Sequence, residues 1–171
     1  MSFADKLRVW MPLHENRVSR AVHFLGAYMF IFALLVPLGL VRFSVGGTEL
    51  SAAHVLVAAV AIYAVSLEWT AGILMSLPLI PTLNAALGVG HLPGPTVAIV
   101  AVSVMVVRFA LVVGAHIVLE KKTHGLSLGG PLLFFIEPVY LLTLVLFGMG
   151  LKRGLHARVT AGGPQPATLT A

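Results

Sequence analysis

Residues 21–41 read AVHFLGAYMFIFALLVPLGLV, a run of 21 residues without a formal charge between Arg20 and Arg42. A helix crosses the hydrocarbon core of a bilayer with roughly 20 apolar residues. The run therefore predicts a transmembrane helix, with His23 near its start. Two more charge-free gaps follow, of 18 residues between Glu49 and Glu68 and of 39 between Glu68 and Arg108. Composition agrees. The 171 residues are 58% hydrophobic and 10% charged, with a mean hydropathy of +1.00, whereas soluble chains are about a quarter charged. These figures exclude a water-soluble enzyme and a disordered chain. The absence of cysteine excludes a disulfide-stapled module and any thiolate metal site.

The expected fold is all-α, a polytopic membrane bundle of about five apolar helices with an N-terminal interfacial helix. The helices read as Ala21 to Val41, Ala52 to Leu67, Trp69 to Leu87, Thr96 to Leu119 and Pro131 to Leu151. Turn chemistry separates them at Val45-Gly46-Gly47-Thr48, at Gly90 to Pro95 and at Gly125 to Gly130. The third helix contains Pro78 and Pro81 and is expected to be kinked, short or re-entrant. Residues 1–155 form one membrane domain and 156–171 a disordered tail. Met1 to Arg20 is charged throughout and does not read as a cleaved signal peptide. The net charge of +5 has no basic cluster interleaved with aromatics, so nucleic acid is not an expected partner. With the N-terminus cytoplasmic, Lys6, Arg8, Arg17, Arg20, Lys121 and Lys122 fall inside and Arg42, Lys152, Arg153 and Arg158 outside, a mild bias.

Ionisable side chains at membrane depth are costly unless paired or hydrated, which makes each a functional candidate. Here they are His23, His54, Glu68, Arg108, His116, Glu120 and Glu137, with His14 and His124 just outside the spans. His14 and His23 lie nine apart and would face opposite ways on one straight helix. They meet only if Asn16 caps a helix starting at Arg17 and His14 folds back. His116 and Glu120 are four apart and share a helix face. That spacing suits two ligands of one metal, or a ligand and the carboxylate that orients it. It equally suits a hydrogen bond closing a helix end. Imidazole and carboxylate without thiolate fit iron(II), zinc or manganese, and the spacing leaves a pair of haem ligands open. His54 and His91 stand alone and read as structural. Arg108 is expected to pair with Glu68 or Glu137, or to hold a substrate carboxylate.

Taken in order, these stretches resemble the 2-hydroxy-fatty-acid dioxygenase family of fungal endoplasmic-reticulum membranes and its bacterial relatives. His14, Asn16 and His23 match its opening motif, Ser19 stands for a second Asn, and Arg20 and Gly26 match the bacterial form. His116, Glu120, Lys121, Pro131 and Glu137 match its later motif, and Thr70-Ala71-Gly72 with Asn84 to Leu87 echo its middle span. The chain departs from the pattern at Ala115, which separates Gly114 from His116 where the family has Gly-His adjacent. Val112 replaces a Gln, His124 a Pro, and the stretch from Glu120 to Pro131 is shortened. The resemblance implies an Fe(2+)-dependent membrane oxygenase that uses dioxygen to shorten a 2-hydroxy fatty acid by one carbon. It implies metal ligands at His14, His23 and His116, completed by Glu120 or His124. Asn16 and Ser19 would orient the ligands, and Arg20 or Lys121 would hold the substrate carboxylate. The expected location is a bacterial inner membrane, with the N-terminus cytoplasmic by the cation bias. A non-catalytic or haem-binding helix bundle is the competing reading.

Overall fold

A computed structural model describes residues 2–121 and 133–161. Its first helix, α1 (Phe3–Trp10), opens with a reciprocal cap between Ser2 and Asp5 and passes into a 3-10 turn, Met11–Leu13. Asn16 then stops the chain in an extended conformation, and its Oδ1 accepts from the N–H groups of Val18 at 2.8 Å and Ser19 at 3.2 Å. Two orphan donors are satisfied, so α2 (Arg17–Leu38) starts where the spacing of the histidines requires.

The Gly46-Gly47 turn does more than break the chain. Both glycines have positive φ, +56° and +83°, the geometry of a two-residue hairpin whose twist suits its strands. It joins β1 (Arg42–Val45) to β2 (Thr48–Ser51), with Val45 opposite Thr48 and Arg42 opposite Ser51. This hairpin is the one addition to the all-α expectation among the described residues. The next apolar helix, α3, spans Ala52–Leu67 as expected. Glu68 then accepts from the Ala71 N–H at 2.7 Å and caps α4 (Trp69–Ser76). The helix is interrupted at Leu77-Pro78, after which α5 (Leu79–Val89) continues. Together Trp69–Val89 make one broken span of 21 residues. Helix α6 (Gly94–Gly114) begins with Pro95 in its first turn and widens into a six-residue π-helix, Ala115–Glu120, ended by Lys121 in the left-handed region. After α7 (Leu133–Gly148), left-handed Gly150 and Lys152 turn the chain into α8 (Arg153–Thr160).

Arg17–Leu38, Trp69–Val89 and Gly94–Glu120 are long and apolar enough to cross a membrane, while Ala52–Leu67 is a shorter apolar helix. Helix α2 is the hub and packs against α3, α5, α6 and α7. Glycine permits the closest approaches. An added Cβ at Gly26 would lie 2.8 Å from Val112, and one at Gly72 would lie 2.5 Å from the Ala64 backbone. Outward, Val55, Ile62, Ile73, Ile80, Ile99, Val102 and Val106 are exposed. An apolar surface this extensive is rare on soluble monomers and suits contact with lipid.

Two expectations are corrected. The chain stays helical to Thr160, beyond the expected domain edge at 155. Val159 is buried among Leu7, Trp10 and Tyr140, and Arg8 donates to the backbone carbonyls of Arg158 and Val159. A cation at a helix C-terminus satisfies orphan carbonyls and complements the dipole. The second correction concerns sidedness. Lys152 bridges to Glu68 at 2.7 Å, and α8 packs on α1, so Lys152, Arg153 and Arg158 share the N-terminal end. Among the described residues Lys6, Arg8, Arg17, Arg20 and Lys121 join them. Only Arg42, paired with Glu49 at 2.9 Å, lies at the hairpin end, about 33 Å away by the length of α2. The cation bias is much stronger than a five-span alternation implied.

Candidate metal centre

The N-cap at Asn16 decides where His14 goes. Excluded from α2, His14 lies flat on the Trp10 indole, with ring centroids 4.0 Å apart and planes at 11°. Its Nδ1 approaches the Trp10 carbonyl at 3.3 Å, and the Arg20 Nε donates to the His14 carbonyl at 2.6 Å. His23 comes from the second turn of α2 and His116 from the π-helix. The His14–His23, His23–His116 and His14–His116 ring centroids are 4.5, 4.6 and 5.5 Å apart. Glu120 Oε2 lies 2.9 Å from His116 Nδ1. One ligand-type atom from each of His14, His23, His116 and Glu120 falls within 4.8 Å of all the others. Two ligands on opposite sides of one ion are about 4.0–4.4 Å apart, so the group has the dimensions of a coordination sphere.

The donor set also behaves as one built for an ion. His14, His23 and His116 are 3%, 2% and 5% exposed. His14 Nε2, His23 Nε2 and Glu120 Oε1 are buried without a hydrogen-bond partner among the described residues. Leaving a buried polar atom unsatisfied costs about 1–3 kcal/mol, and three in one place make a pocket of donors suited to a shared ion. Burial and the neighbouring His23 push the His14 pKa down to about 4, against the pull of Glu137. At neutral pH His14 is therefore the uncharged imidazole that a metal requires.

The other site expectations divide. Asn16 acts on the backbone, as a cap. Asn16→Ala is expected to cost about 1 kcal/mol, seen as a lower denaturant midpoint with an unchanged slope in detergent. Ser19 is fully buried, but its hydroxyl makes no hydrogen bond among the described residues. Arg20 holds the His14 backbone. Lys121 is exposed, and its N–H closes the π-helix on the His116 carbonyl. His124 lies outside the described residues. His54 accepts from the Ser51 N–H at 3.1 Å and caps α3, a structural role at the hairpin end.

Sequence reasoning under-used two residues. Glu137 is expected as a motif match and a partner of Arg108, not as a neighbour of the histidines, yet its Oε1 lies 2.7 Å from His23 Nδ1 and 3.5 Å from His14 Nε2. Its position in an apolar helix was the available signal. Trp10, the platform under His14, has no signature in spacing. Arg108 is buried against Gly26, with its guanidinium 4.8 Å from the Phe109 ring centroid and 5.4 Å from that of Phe30, and is attracted to Glu137. Glu68, the other acid expected beside it, is taken by Lys152 and the α4 cap.

Fold and cluster together define a polytopic helical membrane protein with a buried histidine–carboxylate group able to hold a metal ion. The family model described as 2-hydroxy-palmitic acid dioxygenase Mpo1-like matches residues 1–149. The chain belongs to that family. No curated protein and no solved structure matches it.

Proposed function

We propose that this protein is an iron(II)-dependent membrane oxygenase that shortens 2-hydroxy fatty acids by one carbon with dioxygen. The observation that carries the reading is the convergence of His14, His23, His116 and Glu120 within 4.8 Å of one another, in a chain whose family is described as 2-hydroxy-palmitic acid dioxygenase-like. His14, His23 and His116 are the ligands, and Glu120 is a fourth ligand or the partner that orients His116. Bound iron(II) supplies a Lewis-acidic redox centre for a chelating hydroxy acid and dioxygen. The protein supplies position and dryness. Asn16 and Arg20 fix the two strands of backbone that present His14, and the π-helix presents His116. A groove of about 510 Å³ between α2 and α7, lined by Phe24, Leu141, Leu142, Leu144 and Val145, offers an acyl chain an apolar bed. Arg17 and Arg20 stand on its wall and suit a carboxylate. Clustered cations at the N-terminal end support a cytoplasmic orientation for that end.

The haem alternative is disfavoured by the same geometry. A haem ligated on both faces needs its imidazoles on opposite sides of the macrocycle, and centroids 4.5–5.5 Å apart leave no room for one. Purified protein tests the proposal. Iron(II) bound near one per chain, no Soret band, and conversion of a 2-hydroxy fatty acid to the acid one carbon shorter are expected. A Soret band, or failure to take up iron(II), would sink it.

A further inference from the structure

Two carboxylates approach the histidines, Glu120 within the mutually close group and Glu137 beside it, and they meet them differently. Glu120 Oε2 lies 2.9 Å from His116 Nδ1 in hydrogen-bonding geometry, four residues along the same element. That oxygen is committed. Glu137 Oε1 is closer to its histidine, 2.7 Å from His23 Nδ1, yet His23 Nδ1 has no hydrogen bond among the described residues. The contact is short but not aligned. The same oxygen is 3.5 Å from His14 Nε2, which also lacks a hydrogen bond. Neighbouring ligands at about 2.1 Å from one ion are roughly 3.0 Å apart at right angles and roughly 3.4 Å apart at a tetrahedral angle. Glu137 thus sits close to inter-ligand spacing from His14 and slightly inside it from His23, at hydrogen-bonding alignment to neither. Its side chain is 5% exposed, where a carboxylate needs a cation or a metal beside it.

The geometry points to Glu137 as the carboxylate ligand of the metal, with Glu120 as the positioning residue that holds His116 by its Nδ1. This rests on the metal reading above and changes which acid completes the site. It also places ligands on three separate parts of the chain: the α2 entrance, the π-helix and α7. Docking of α7 against α2 then becomes part of metal binding.

Cobalt(II), whose visible spectrum reports ligand number and type, tests the assignment on the full-length protein in detergent. Glu137→Gln is expected to weaken cobalt(II) and iron(II) binding by more than 100-fold and to change the cobalt spectrum. Glu120→Gln is expected to weaken binding 10- to 100-fold, as loss of a ligand's hydrogen-bonding partner does, with the band positions kept. If Glu137→Gln does not fold, Glu137→His decides: retained cobalt with shifted bands supports the assignment, and parent bands overturn it. Parental affinity and spectrum in Glu137→Gln, or the larger spectral change in Glu120→Gln, would overturn it while leaving the metal centre intact. Parent protein that binds neither ion overturns the metal reading and this assignment together.

Discussion

His116→Ala is expected to abolish turnover of a 2-hydroxy fatty acid, after anaerobic loading with iron(II) and then exposure to oxygen. His116 has ring contacts to both other histidines, at 4.6 Å and 5.5 Å, and it is the one supplied from the α6 side of the α2–α6 pair. Removing it leaves His14 and His23 on one side of the cluster and strands Glu120, whose Oε2 loses its only hydrogen-bond partner among the described residues. Metal content should fall with activity, because a buried carboxylate released from its imidazole cannot replace a ring nitrogen on the same path. His54→Ala, at the far end, should leave both at the parent level. Parental turnover by His116→Ala would remove this residue from the site.

Gly72→Ala is expected to be the most destabilising single-methyl change in the bundle. The added Cβ would lie 2.5 Å from the carbonyl carbon and oxygen of Ala64 and from the Val65 nitrogen. These are backbone atoms of α3, which cannot turn aside as a side chain can. Overpacking a rigid core costs about 1–3 kcal/mol and sometimes more, and here the whole α3–α4 pair must separate. A drop of about 3 kcal/mol or more should appear as early thermal unfolding in detergent. Gly88→Ala and Gly114→Ala, whose Cβ atoms would meet nothing within 4 Å, are the controls and should be neutral or slightly stabilising. Unfolding of Gly72→Ala at the parent temperature would show that α3 and α4 are not in this contact.

The helices were legible because charge and turn residues punctuate an apolar chain. Ala52–Leu67 was bounded to the residue by Ser51 and Glu68, each of which caps a helix. The meeting of His14 with His23 was also legible, through the single capping residue Asn16. What spacing could not supply was anything decided between helices. Glu137 lies 114 positions from His23 in the chain, and only the packing of α7 on α2 brings them together. The position of α8 against α1 was hidden for the same reason. The sidedness of Lys152, Arg153 and Arg158 follows from that contact, so charge counting along the chain assigned them to the wrong end.

The π-helix at Ala115–Glu120 carries a consequence for how the register of this site is set. A turn closed by i→i+5 bonds holds one more residue than an α-turn. The wide turn opens at Ala115, the residue between Gly114 and His116. One residue more in a turn re-phases the side chains that follow by about 100° relative to an α-helix. His116 is thereby brought into phase with His23, and Glu120 with His116. In this molecule the register of the buried histidine–carboxylate group is set by a helix that changes its pitch, so the candidate centre depends on a local bulge beside His116.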